Sequence, residues 1–188
     1  MNIVRAIIRN TVLFALISVS PYLVNAQDLE LPGRNSSKNR ASPSGLVGQT
    51  IGTHDVVISF GRPYVKGREI FGGLQKFGTV WRAGANEATA IVIPADAKIE
   101  GEDLAAGVYS FFTIPGESEW TLIFGSKADI WGRPYSDEND VLRVTVESRE
   151  APHAEMVSYR FEDVTQTSAT IVLHWATTEI PFSISFEE

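Results

Sequence analysis

Val108-Tyr109-Ser110-Phe111-Phe112-Thr113-Ile114-Pro115-Gly116-Glu117-Ser118-Glu119-Trp120-Thr121-Leu122-Ile123-Phe124 holds two apolar runs and a break between them. In an extended chain Val108, Ser110, Phe112 and Ile114 point one way, and Tyr109, Phe111 and Thr113 the other. Both faces are largely apolar, which predicts a strand covered on both sides and therefore central in its sheet. Pro115-Gly116 turns the chain, so Trp120, Leu122 and Phe124 return antiparallel to the first run. Phe112 and Trp120 are expected inside.

Outward from this hairpin the same period of two recurs. Val56, Ile58 and Phe60 share a face, and Thr89 to Ile93 is a β-branched run ended by Pro94. Leu142, Val144 and Val146 follow, then Val157, Tyr159 and Phe161, then Ile171, Leu173 and Trp175, then Phe182, Ile184 and Phe186. Short alternating runs bounded by Gly, Pro and Asp predict an all-β fold, an antiparallel β-sandwich or flattened barrel. No segment keeps a helical period over three turns; Phe71 to Phe77 has room for one helical turn. No repeat of solenoid or propeller length is visible.

The first 26 residues read as a secretory signal. Arg5 and Arg9 precede an uncharged apolar stretch from Thr11 to Ser20, and Val24-Asn25-Ala26 suits cleavage between Ala26 and Gln27. The stretch is too short and too broken by Ser18, Ser20 and Pro21 for a membrane span. The expectation is a protein exported to the periplasm or medium, without stable membrane insertion after cleavage. Residues 27–45 are polar and rich in Ser, Asn, Gly and Pro, and read as a flexible leader. Residues 46–188 form the single domain.

The chain has no cysteine, which excludes disulfides, thiolate metal sites and Cys nucleophiles. Without the first 26 residues it carries 14 basic and 23 acidic residues, a net charge of −9. That balance argues against nucleic acid as a general partner. His54 and His153 fall in turns, and His174 lies out of phase with Leu173 and Trp175, which places it toward solvent. None has a second histidine at metal spacing. No nucleophile elbow, phosphate loop or dinucleotide fingerprint occurs. The residues call for no metal and no cofactor.

One stretch runs against the overall charge. Arg62, Lys66, Arg68, Lys76 and Arg82 face only Glu69 across residues 62–82, a local charge of +4 in a chain otherwise at −13. Tyr64, Phe71, Phe77 and Trp81 are interleaved with them. A long loop of this kind in a compact β-domain serves a ligand or is pinned by its own packing. In the first case arginines bind a carboxylate, phosphate or sulfate beside an aromatic wall. In the second, Arg82 or Arg68 pairs with Glu87, while Phe71 and Trp81 plug one end of the barrel.

The segments Arg62-Pro63-Tyr64-Val65-Lys66-Gly67-Arg68 and Trp81-Arg82-Ala83-Gly84-Ala85-Asn86-Glu87-Ala88-Thr89 resemble the domain of unknown function 2911 family of exported bacterial proteins. Leu104 to Ser110, Ile114-Pro115-Gly116, Glu119 to Phe124 and Val141 to Val144 extend the likeness over nearly all of residues 44–185. The resemblance implies a β-rich extracytoplasmic domain with no established reaction. It marks Arg62, Lys66, Arg68, Arg82, Asn86, Glu87 and Thr89 as the family's polar positions.

Three functions stay open. A binding module would take a small anionic or polyhydroxylated ligand on Arg62, Lys66, Arg68 and Arg82, with Trp81 or Tyr109 as apolar wall and Asn86 and Glu87 alongside. An enzyme would use Glu87 as acid or base with Arg82 as electrostatic stabiliser, although arginines beside a carboxylate depress its pKa and suit it poorly to that task. An envelope structural or interaction domain would use the loop as a brace. Oligomeric state is open.

Overall fold

Strand after strand follows the period-two pattern. The computed structural model describes residues 34, 39–129, 131 and 134–187. The signal peptide expected over 1–26 and most of the leader lie outside the described residues. Among the described residues there are ten strands: β1 Ser44–Ile51, β2 His54–Gly61, β3 Thr89–Ile93, β4 Ala97–Ile99, β5 Glu102–Leu104, β6 Gly107–Ile114, β7 Glu119–Gly125, β8 Asp140–Glu147, β9 Arg149–Glu162 and β10 Ser168–Phe186. A six-stranded sheet has the order β1-β2-β3-β6-β7-β8, and a four-stranded sheet the order β5-β4-β10-β9. All pairs are antiparallel. No strand belongs to both sheets, so the fold is a sandwich and not a closed barrel.

The β6–β7 hairpin sits where its composition requires. β6 lies between β3 and β7, with Phe112 opposite Ile123 and Ile114 opposite Thr121. Phe112 and Trp120 are both buried, but on different faces. Trp120 joins Leu122, Phe124 and Phe111 in the main core between the sheets. Phe112 packs with Ala88 and Ile123 on the outer face, under Tyr135 from the β7–β8 connection. Two coverings, one on each face, bury β6 from Tyr109 to Thr113.

Several details depart from the sequence reading, among them His153, expected in a turn, which lies within β9. The runs ending at Trp175 and starting at Phe182 are one strand, β10. It pairs with β9 in its first half and with β4 in its last three residues, and its register shifts on both sides of Ala176, whose φ is +53°. A left-handed residue flanked by bulges bends the strand without ending it. The chain from Phe71 to Phe77 makes turns and no helical turn; Leu74 and Gln75 donate backbone hydrogen bonds to Glu69 (3.1 Å) and Ile70 (2.8 Å). β1 begins at Ser44, inside the stretch read as leader. His174 is largely sheltered, with 13% of its side chain exposed, and lies between Glu179 Oε1 at 3.4 Å and Pro152 O at 3.0 Å.

Candidate functional site

The basic loop begins where β2 ends. Pro63 to Val65 run along β9, with the Val65 amide donating to Glu155 O at 2.8 Å and the Val157 amide to Pro63 O at 3.2 Å. Lys66 and Gly67 then adopt positive φ, turning the chain back over the sandwich end. The loop is fixed again on the other sheet. Trp81 and Thr113 exchange two backbone hydrogen bonds of 2.7 Å, and the Gly78 amide donates to Pro115 O at 2.8 Å. It therefore spans the mouth between the sheets.

Aromatic rings fill that mouth. Phe71 meets Trp81, Trp120 and Trp175 edge-on, with centroids 5.7, 4.7 and 6.0 Å apart. Trp81 stacks on Trp175 at 5.4 Å, and its indole N–H donates to Gly84 O. Offset and edge-on pairs of this sort each add about 0.5–1.5 kcal/mol beyond area burial. Around Trp81 the Trp120 and Trp175 indole N–H groups and the Thr113 hydroxyl are buried without a hydrogen-bond partner among the described residues. Three such groups in one place are a concentrated desolvation cost.

The segment after Trp81 is held by close backbone approach. A Cβ on Gly61 would lie 2.0 Å from Ala85 O, and one on Gly84 would lie 3.0 Å from Gly61 O. Only glycines let β2 and this turn touch. Tyr159 Oη and Thr89 Oγ1 both donate to Ala83 O, at 2.8 and 3.0 Å, and burial pushes the Tyr159 hydroxyl pKa up.

Loop and turn together enclose a cavity of about 300 Å³. Lys66, Arg68 and Arg82 line it, with Trp81 and Trp175 as aromatic wall and Ala41 and Ser42 closing one side; no carboxylate is among its described lining residues. Arg68 is oriented by two carbonyls, its Nε donating to Val65 O at 2.9 Å and Nη2 to Tyr64 O. The Lys66 ammonium stands 5.7 Å over the Tyr64 ring. Arg82 Nη1 donates to Asn86 O at 2.7 Å. For Lys66 and Arg68, a ring face and carbonyls fix the cation's position without cancelling its charge. Glu155 lies beside this group; its carboxylate accepts from the Lys66 amide at 2.9 Å. That bond, then the one from His153, then the Arg68 charge hold its pKa below the usual range.

Of the eight residues singled out in the sequence, the structure brings Lys66, Arg68, Trp81 and Arg82 together at this cavity. Arg62 is placed behind it, with Nε on Val157 O at 2.9 Å. Asn86 turns its amide to Ser42 O at 3.0 Å. Tyr109 is in the core near Phe124, donating to Ala105 O. Glu87 is not braced by Arg82. Its partners are Arg40, which reaches both carboxylate oxygens at 2.6 and 2.7 Å, and Arg34 at 3.4 Å. The Arg40 hydrogen bonds outweigh partial burial and hold the Glu87 pKa below the carboxylate range. Arg34, Arg40 and the two wall residues Ala41 and Ser42 were missed because a polar stretch without periodicity carries no sign of docking.

A second cleft, of about 660 Å³, lies by His54, Lys98, Asp103 and Phe186. It is larger, but its lining suits no anion: Lys98 is paired with Asp103, and Asp96 and Glu187 leave the cleft with an excess of negative charge. Size alone does not select a ligand; a cluster of one sign does. Among the described residues no helix is long and apolar enough to cross a membrane.

With this geometry in place, a family model described as protein of unknown function (DUF2911) matches residues 42–184, and the chain belongs to that family. No curated protein and no solved structure matches it.

Proposed function

We propose that this is an exported binding domain for a small ligand bearing a carboxylate, phosphate or sulfate group, taken in the cavity between the 62–82 loop and the sandwich end. The observation that carries this reading is the placing of Lys66 and Arg68, with Arg82 beside them, on one concave surface whose described lining residues include no carboxylate. Guanidinium groups offer paired N–H donors matched to planar or tetrahedral oxyanions, and the lining Tyr64 and Leu74 supply accessible apolar area for the rest of the molecule. Export rests on the signal-like first 26 residues; mass spectrometry of the protein recovered from a Gram-negative host should give Gln27 as the first residue.

A thermal-shift screen of the chain against small carboxylates, phosphates and sulfated sugars tests the binding reading. A ligand present at 100 times its dissociation constant raises stability by about 2.7 kcal/mol. The shift should vanish in Arg68→Ala. A screen in which no anion shifts the transition, or in which Arg68→Ala leaves the shift intact, would overturn it. The brace reading has its own support, since the loop is fixed by backbone hydrogen bonds on both sheets; it gains if the screen is silent. The enzyme reading draws nothing from Glu87, whose two oxygens are taken by Arg40 and whose pKa is low.

A further inference from the structure

Arg34 lies well outside the sandwich in sequence, yet only 8% of its side chain is exposed. Its guanidinium meets four acceptors from the turn before β3 and from β2. Nε donates to Ser59 Oγ at 2.6 Å, and Nη2 to Ser59 O at 2.6 Å and Ala88 O at 2.8 Å; Nη1 approaches Glu87 Oε2 at 3.4 Å. Arg40 then takes both oxygens of the same carboxylate and sits 6.0 Å over the Trp131 ring. Trp131 is itself bridged to Glu87 through the backbone. The acceptors lie on β2 and in the turn before β3, while Arg34 and Arg40 lie outside the strands.

We propose that Ser59, Glu87 and Ala88 form a receptor for the arginine side chain of a peptide, and that Arg34, with residues 39–43 beside it, is its ligand in cis. The acceptors are spread around the edge of a planar fork. A lysine ammonium has one nitrogen and cannot serve both Ser59 oxygens, Ala88 O and the Glu87 carboxylate together. Recognition resides in side chains: beside these arginines, residues 39–43 are tied to the domain where Ser42 O accepts from the Asn86 amide and Pro43 O from the Arg62 backbone N–H. A competing arginine-bearing peptide can therefore replace the segment without unfolding a strand. The receptor does not depend on the anion cavity, though Ala41 and Ser42 of the segment form part of that cavity's wall.

The test uses the full chain and a fluorescein-labelled synthetic peptide with the sequence of residues 30–43. Fluorescence anisotropy should show saturable binding to the Arg34→Ala/Arg40→Ala chain. Binding to the unsubstituted chain, whose site is filled, should be roughly tenfold weaker or more, as should binding after Glu87→Gln is added, since charge-assisted hydrogen bonds are lost. A peptide carrying Arg34→Lys should lose a similar factor. Equal binding of the arginine and lysine peptides, or no saturable binding to a folded double variant, would overturn the receptor. In case that variant does not fold, the unsubstituted chain gives a second readout: the Arg34 Nε–H should be a slowly exchanging NMR signal that shifts on adding excess unlabelled peptide. An Nε–H exchanging at the solvent rate, or one that the peptide leaves unmoved, counts against it.

Discussion

Two regions of the molecule gather arginines, and they treat them in opposite ways. On the β9–β10 sheet, Arg149 and Arg160 each bond the buried Glu179 at 2.8 Å and also reach Glu162, while His174 lies 3.4 Å from Glu179. Burial pushes the Glu179 pKa up, but the hydrogen bonds from Arg149 and Arg160 prevail and hold it low. At the 62–82 loop, Arg68 and Arg62 are held by backbone carbonyls. The first arrangement cancels charge and ties two strands together. The second keeps charge and places it beside a cavity. The partner of an arginine, more than its burial, separates a structural ion network from a surface prepared for an anion.

The largest effect should come from the aromatic floor, which the cavity shares with the core. Trp175→Ala removes a fully buried ring stacked on Trp81 and should cost about 3–5 kcal/mol in denaturant unfolding. A cost near that of a surface substitution would show that the cavity's floor is not part of the core.

Next comes the network. Glu179→Ala leaves Arg149 and Arg160 without their buried carboxylate, and should cost about 3 kcal/mol, the lower end for a broken buried pair because both arginines are partly exposed. Arg68→Ala should sit at the other extreme. It removes no carboxylate pairing, so stability should change by less than about 1 kcal/mol while anion-dependent thermal shifts disappear. If Arg68→Ala were as costly as Glu179→Ala, the contrast between the two regions would be gone.

The smallest effect is a dependence on pH. Glu87, Glu162 and Glu179 are held below their ordinary pKa. Their stabilisation is complete above the unfolded carboxylate value of about 4.3 and is lost as pH falls through the lower folded values. Acid titrations of stability should therefore flatten in Glu179→Gln and in Glu87→Gln, and keep their slope in Arg68→Ala. An unchanged slope in both Gln variants would place the acid sensitivity elsewhere.

Much of the sandwich was legible along the chain. Thr89 to Ile93 was bounded by its β-branched run and by Pro94, and is β3. The two-faced apolar pattern of Val108 to Ile114 located an interior strand. Other elements were hidden for physical reasons. β4 and β5 have three residues each, too few for a period to show. β10 was split because a bulge breaks alternation without breaking the strand. In the site, charge and aromatics located Lys66, Arg68, Trp81 and Arg82, while Tyr109 was misplaced because an aromatic on a central strand looks the same whether it faces a ligand or the core.

By itself the sequence determined the antiparallel β class, the central hairpin, the absence of thiol chemistry and the basic loop, since each depends on residue types within a few positions of one another. Tertiary structure alone decided which cation meets which partner. Glu87 lies five residues from Arg82 but is taken by Arg40 and Arg34 from the polar segment, because the Gly61–Gly84 contact fixes the turn and the Arg82 guanidinium bonds Asn86 O within it. Proximity in the chain sets what is within reach; the packing of distant backbone sets the direction in which a charged side chain can point.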